Sequence, residues 1–302
     1  MYIYSLIFSL IFLSCSGPVI KRDRESYRPI PRKNFSVIKK RVALLTIFNE
    51  APYGGDDLGV VATEELRMEL SKTGDFVIDQ MGSKIFGSSK EIYSGGGSKL
   101  VQLSRQAKVA GVNFVLFGRI TDARIREKND EIGLVRKTKS YTESKIELRI
   151  FDVNSGKEIY TDVIKGSADD STFRFFVSDN EENLNYRRDL LRYGIKVAVR
   201  KSIPAILDVS AKLDWIGRVA KIVGNKIYVN AGRQSGINIT DILRVITEGQ
   251  EIFDPETGGL LGVSKGEIKG TLEIIDYFGE DGAIAVLHSG GSVVEGDYVM
   301  LY

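Results

Sequence analysis

Arg41-Val-Ala-Leu-Leu-Thr-Ile-Phe-Asn49 is a short apolar run that opens on the basic cluster Lys39, Lys40 and Arg41 and closes in a loop at Pro52, Gly54 and Gly55. A run of this length, with β-branched residues and turn signals behind it, reads as a strand buried on both faces. A helix pattern follows at once. Asp56 and Asp57 precede an apolar-periodic stretch from Leu58 to Lys72, with Val61, Leu66, Met68 and Leu70 as its apolar positions and Gly74 as its stop. Asp75 to Gln80 reads as a second strand, and the three segments together begin a βαβ unit.

Working towards the C-terminus, Met81 to Gly97 is loop-rich and holds the flexible run Ser94-Gly-Gly-Gly-Ser98. It lacks the Lys-Ser/Thr of a phosphate loop, and no strand feeds it. A helix is expected over Lys99–Ala110, ended by Gly111, then a third buried strand over Val112–Ile120. That strand continues towards Arg126 and pairs with Tyr141–Val153, where Ile146, Leu148 and Ile150 alternate with Lys145, Glu147 and Arg149. Strict alternation puts one face on a core and the other in water. Asn154-Ser-Gly-Lys157 is a hairpin turn, Glu158–Gly166 returns, and Asn183–Leu207 is a long helix in which Pro204 is expected to kink or break the last turn.

From Asp214 the texture changes to strands of four to seven residues cut by glycines, with turns at Asn225, Gly232, Gly236, Gly249 and Asp254–Gly258. Short strands at regular spacing suggest a small barrel of SH3-like size. The fold expected is an α/β (α+β) sandwich, helices packed on a mixed sheet, over residues 39–210, followed by a small SH3-like β-barrel over 214–302.

Upstream lies a segment for export. Met1–Ser14 holds an apolar core too short for a spanning helix and of the right length for a signal peptide. Phe12-Leu-Ser-Cys15 resembles a bacterial lipobox, in which the cysteine is lipidated and becomes the mature N-terminus. Several acyl chains on Cys15 would anchor the chain to the outer membrane. An ordinary signal sequence or a membrane anchor is the alternative. Residues 15–38 form a polar, basic, proline-bearing tether, a solvated linker or one that lies along anionic head groups.

Composition excludes much chemistry. The 302 residues carry 27% charged side chains, a formal net charge of +2, one Cys and one His. No strong field invites nucleic acid. Disulfide frameworks, Cys/His zinc sites and Cys–His catalytic pairs are ruled out within one chain. A serine triad would have to use His288, which reads as a half-exposed strand residue. Asp56, Asp57, Glu64 and Glu65 could hold a divalent ion but fit a helix N-terminus better. Trp215 and Tyr228 could bind peptide or glycan, but fit a core better. No catalytic residue, cofactor or metal is expected.

The stretches already quoted carry two family resemblances. Val42–Phe48, Val112–Ile120, Ile146–Ile159 and Thr172–Phe176 ahead of the last long helix resemble the curli secretion lipoprotein family (CsgG-like) over most of Lys39–Leu207. Gly217–Gly232, Asp254–Gly258, Leu261-Gly262 and Gly296–Val299 resemble the C-terminal domain of the flagellar assembly protein T family (FlgT-like). Both resemblances imply a non-enzymatic, periplasm-facing protein that forms rings at the outer membrane, with copies of itself and other envelope assembly proteins as partners. The runner-up reading is a curli-type secretion channel. A lipid-facing strand needs about 9–11 residues with an apolar face. Between Ala123 and Tyr141 one parity reads Arg124, Arg126, Lys128, Asp130 and the other Ile125, Glu127, Asn129, Glu131. Ser167–Asn180 offers only Phe173, Phe175 and Val177, bounded by Asp169 and Asp179. A membrane pore is therefore not expected, and Arg124, Arg126, Phe173 and Phe175 are candidate contacts between subunits.

Overall fold

A computed structural model describes residues 38–79, 85–129, 138–169, 184–264 and 266–302. The leader, Cys15 and the tether up to residue 37 lie outside the described residues, as do residues 130–137 and 170–183, and with them Phe173 and Phe175.

The opening apolar run supplies β1 (Lys40–Leu44) and β2 (Phe48–Asn49). Along it Val42, Leu44 and Ile47 enter one core while Ala43 and Leu45 enter another, all at 1% exposure or less. The strand is buried on both faces, as its composition requires. Helix α1 (Asp57–Thr73) follows, then β3 (Phe76–Asp79), which pairs with β1 in parallel. The face α1 buries is Leu58, Ala62, Leu66 and Leu70. Met68, expected in the core, is 42% exposed. The four-residue spacing of the buried positions puts Met68 on the outer side, a placement the apolar count alone could not decide.

Helix α2 (Ser89–Ala110) begins ten residues before the expected start. The Glu91 carboxylate accepts from the backbone N–H and the hydroxyl of Ser88, a capping box that starts the helix. The run Ser94–Ser98 is not a loop. It lies within α2 and interrupts it at Gly96 alone, whose φ of 56° is left-handed. Strand β4 (Phe114–Asn129) then pairs with β1 and β2 in parallel and with β5 (Thr138–Asp152) antiparallel. Strand β6 (Lys157–Asp169) completes a mixed sheet of order β3-β1-β4-β5-β6, β2 standing beside β4. Helix α3 (Leu184–Ala211) continues past Pro204, because Ile203 and Ile206 on either side of it are both buried in the core. Helices α1 and α3 pack on one face of the sheet and α2 on the other.

The remaining chain gives β7 (Gly217–Val223), β8 (Lys226–Val229), β9 (Ile242–Ile246), β12 (Ile268–Phe278), β13 (Gly282–Gly290) and β14 (Tyr298–Leu301), which close as a six-strand barrel. A separate hairpin, β10 (Glu251–Phe253) and β11 (Leu260–Val263), leaves it between β9 and β12. The hairpin turns at Asp254, whose carboxylate accepts from the Glu256 and Thr257 N–H groups and is held below its usual pKa by them. Trp215 is 7% exposed inside the barrel core, and Tyr228 meets Phe278 edge-on, so both aromatics serve packing.

Candidate functional site

Strand β4 determines the site. It holds β2 only as far as Ile120, where the Glu50 N–H donates to the Ile120 carbonyl at 2.9 Å. A bulge then falls between Ile120 and Asp122. The extra residue reverses the parity, so Ala123 returns to the core shared with Ile120 and Asp122 and Arg124 turn to the opposite face. From Thr121 to Asn129, among the described residues, β4 pairs with β5 alone and its other edge is open.

A cleft of about 1450 Å³ lies along that edge. Its floor is Thr121, Asp122, Arg124, Ile125 and Arg126. One end is the Pro52–Gly55 loop, pinned by the Asn49 side-chain amide, which donates to the Tyr53 and Gly55 carbonyls and accepts from the Ala51 N–H. Gly54 suits the turn because its φ of +92° lies in the left-handed region that a side chain would strain. The opposite wall is the first turns of α3, with Arg187, Arg188 and Arg192. Six cations line the cleft, these three with Arg124, Arg126 and Lys145, against two carboxylates, Asp57 and Asp122.

The two arginines expected to contact a neighbouring subunit are here, each with a partner inside the chain. Arg124 pairs with Asp122, and Arg126 Nε donates to Glu143 at 2.7 Å. The hydrogen bond from Arg124, with Lys145 nearby, holds the Asp122 carboxyl below the usual carboxylate range. Helices α1 and α3 run parallel, because Arg192 reaches Asp57 at 2.8 Å, Lys196 and Arg200 reach Glu65 at 3.6 and 2.6 Å, and Arg200 reaches Glu69 at 3.6 Å. Both N-termini therefore point at the same end, the cleft. The arginines of α3 were not singled out from the sequence. The signal was present: a helix whose first turns carry Arg187 and Arg188 and no acid in the first turn runs against the dipole preference.

Beyond the cleft, the face of the hairpin covered by α2 carries a second polar cluster. Tyr93 lies between the Arg119 and Arg149 guanidiniums, at 4.8 and 4.6 Å from its ring centre, and donates its hydroxyl to Glu147 at 3.1 Å. Burial and the Glu147 charge push the Tyr93 pKa up. Burial alone would raise Glu147, but hydrogen bonds from Arg119 and Arg149 outweigh it and hold that carboxyl below its usual value.

The four carboxylates near α1 go to different partners. Asp57 pairs with Arg192, Glu64 lies 3.7 Å from Arg67, and Glu65 turns under α3, while Asp56 at the N-cap makes no side-chain cap. Among the described residues no group of three or more His, Cys, Asp or Glu gathers as for a metal ion. His288 is half exposed on β13, 3.7 Å from Glu273. No described helix is long and apolar enough to cross a membrane.

A scan against protein-family models finds no match to this chain, and a search of curated proteins finds none. Among solved structures the chain is similar to a hypothetical protein of Chlamydia trachomatis, at 15% identity over 56% of this chain and 95% of that one, with a TM-score of 0.36. It is also similar to the lipoprotein GNA1162 of Neisseria meningitidis, at 12% identity over 57% of this chain and 98% of that one, TM-score 0.30. A third is the PelC dodecamer of Paraburkholderia phytofirmans, at 14% identity over 55% of this chain and 86% of that one, TM-score 0.28.

Proposed function

We propose that this is an outer-membrane lipoprotein, anchored through Cys15 on the periplasmic side, that serves as a ring or scaffold subunit in the assembly or export of a surface structure, and is not an enzyme. The observation that carries the scaffold reading is the outer edge of β6. Among the described residues no strand covers its thirteen residues, and Ile159 and Val163 on it are 38% and 45% exposed. An open strand edge with exposed apolar side chains is a template for pairing unless a partner covers it. A second copy of the chain is the simplest cover. The sequence carries the membrane reading, because its single cysteine directly follows the apolar leader.

The test is direct. A fatty-acid analogue should label the wild type and leave Cys15→Ser unlabelled, and detergent-extracted protein should be multimeric by light scattering and ring-shaped in negative stain. Val163→Lys on the open edge should shift it to monomer with its melting curve kept. A monomeric wild type would refute the scaffold reading. The curli-type channel is the alternative, and large uniform conductance steps in planar bilayers would establish it.

A further inference from the structure

We propose that the basic cleft beside β4 takes an extended acidic peptide, added as a strand to the open edge of β4. This goes beyond the scaffold reading, which rests on the far edge of the sheet at β6.

Three observations converge. The first is the shape of the floor. Thr121, Asp122, Arg124, Ile125 and Arg126 all line the cleft, side chains of both parities. A strand presents both parities only towards its edge, where its free N–H and C=O groups also point. Six residues of edge run roughly 20 Å at about 3.4 Å each, and the cleft of about 1450 Å³ is wider than the 300–1,000 Å³ typical of small-ligand sites. The space fits a length of chain.

The second is unspent charge. Arg188 has no ion pair among the described residues. Among the described residues Arg187 has only Glu127 at 3.9 Å, beyond hydrogen-bond reach. Arg126 gives Glu143 one bond from Nε, and among the described residues its terminal N–H groups have no hydrogen-bond partner. Asp122 is already taken up by Arg124 and Lys145. The surplus lies along the edge, spaced over β4 and the facing turns of α3, whereas a phosphate nest would gather it at one point.

The third is the field. The parallel helices α1 and α3 both turn their N-termini to this end, each with a partial positive charge. Asp57 answers that charge on α1, and α3 answers it with nothing in its first turn. A carboxylate-bearing strand would bond through its backbone to β4 and through alternate side chains to the arginines, the usual division of labour when a strand is added to a sheet edge.

The probe is a fluorescein-labelled decapeptide alternating Glu with Val or Thr, read by anisotropy against the full chain in neutral detergent. Binding is expected at micromolar concentrations and should weaken as salt is raised. The double variant Arg187→Glu/Arg188→Glu should weaken it tenfold or more, with an unchanged melting curve, since both side chains are exposed. The same peptide N-methylated on alternate residues keeps its charge, loses its edge bonds and should also bind tenfold weaker. Several results would overturn the proposal: no binding, equal binding by the double variant or the methylated peptide, or displacement by millimolar inorganic phosphate, which would mark a small-anion site. Mass photometry on the same samples reads the oligomeric state. Peptide-driven release of subunits would make the cleft a contact between copies and overturn the proposal, whereas a monomer that still binds the peptide would sink only the ring.

Discussion

Glu147 shows how much one residue of the sheet face beneath α2 holds together. It is 6% exposed, takes hydrogen bonds from Tyr93, Arg119 and Arg149, and has its pKa held down by the two guanidiniums. A carboxylate depressed in the folded state stabilises the fold above its unfolded pKa. That contribution is lost as pH falls through the lower, folded value. The wild type should therefore lose thermal stability as pH is lowered from about 5 towards 3, below the ordinary Glu pKa of about 4.3. Glu147→Gln should be less stable at pH 7 and show a shallower fall over that range. Parallel melting curves for the two proteins would show that the network contributes nothing through ionisation.

At the scale of elements, the approach of α1 to the sheet depends on one absent side chain. A Cβ on Gly59 would stand 2.1 Å from the Ile47 carbonyl oxygen. The same turn bonds to the strand region, because the Thr63 hydroxyl donates to the Gly59 carbonyl and accepts from the Ile47 N–H. Gly59→Ala should raise local helix propensity yet destabilise the protein by about 1–3 kcal/mol, the usual cost of overpacking a fitted contact. Urea unfolding measures it, and a stabilised variant would show that α1 can move outward freely. Some elements were legible from sequence: β1 by its double-faced burial, β5 by its alternation, α3 by its apolar spacing. The first half of α2 was not, because three consecutive glycines outweighed the Ser88–Glu91 capping pair in a purely local reading.

On the scale of the whole molecule, the sheet and the barrel keep separate hydrophobic cores and meet through polar contacts. Among the described residues before the first strand, Ile38, partly buried, packs against the barrel core. Asp281, at a turn of the barrel, accepts from the Gly232 and Ser235 N–H groups, the Ser235 hydroxyl and Arg41 of β1 at 3.0 Å. Asn113 ties the other side, accepting from the Arg41 N–H and donating to the Ile216 carbonyl. Residues 214–302 expressed alone should therefore give one cooperative melt. In the full chain Arg41→Ala should cost about 1–3 kcal/mol, the worth of a hydrogen bond to a charged group. An unfolded isolated barrel would mean that its core needs the sheet.

The sequence alone determined most of the strands and helices and much of which faces are apolar, because periodicity is a property of neighbours along the chain. It also placed the single cysteine directly after an apolar N-terminal run and excluded Cys/His chemistry by count. Only the tertiary structure decided where those faces meet. The end of β2 pairing at Ile120 leaves β4 with an open edge among the described residues, and the parallel packing of α1 on α3 brings Asp57 beside Arg192, 135 residues away. The barrel closes by pairing β9 with both β12 and β14. Each of these depends on contacts between residues distant in the chain, whose geometry no local pattern of hydrophobicity or charge encodes.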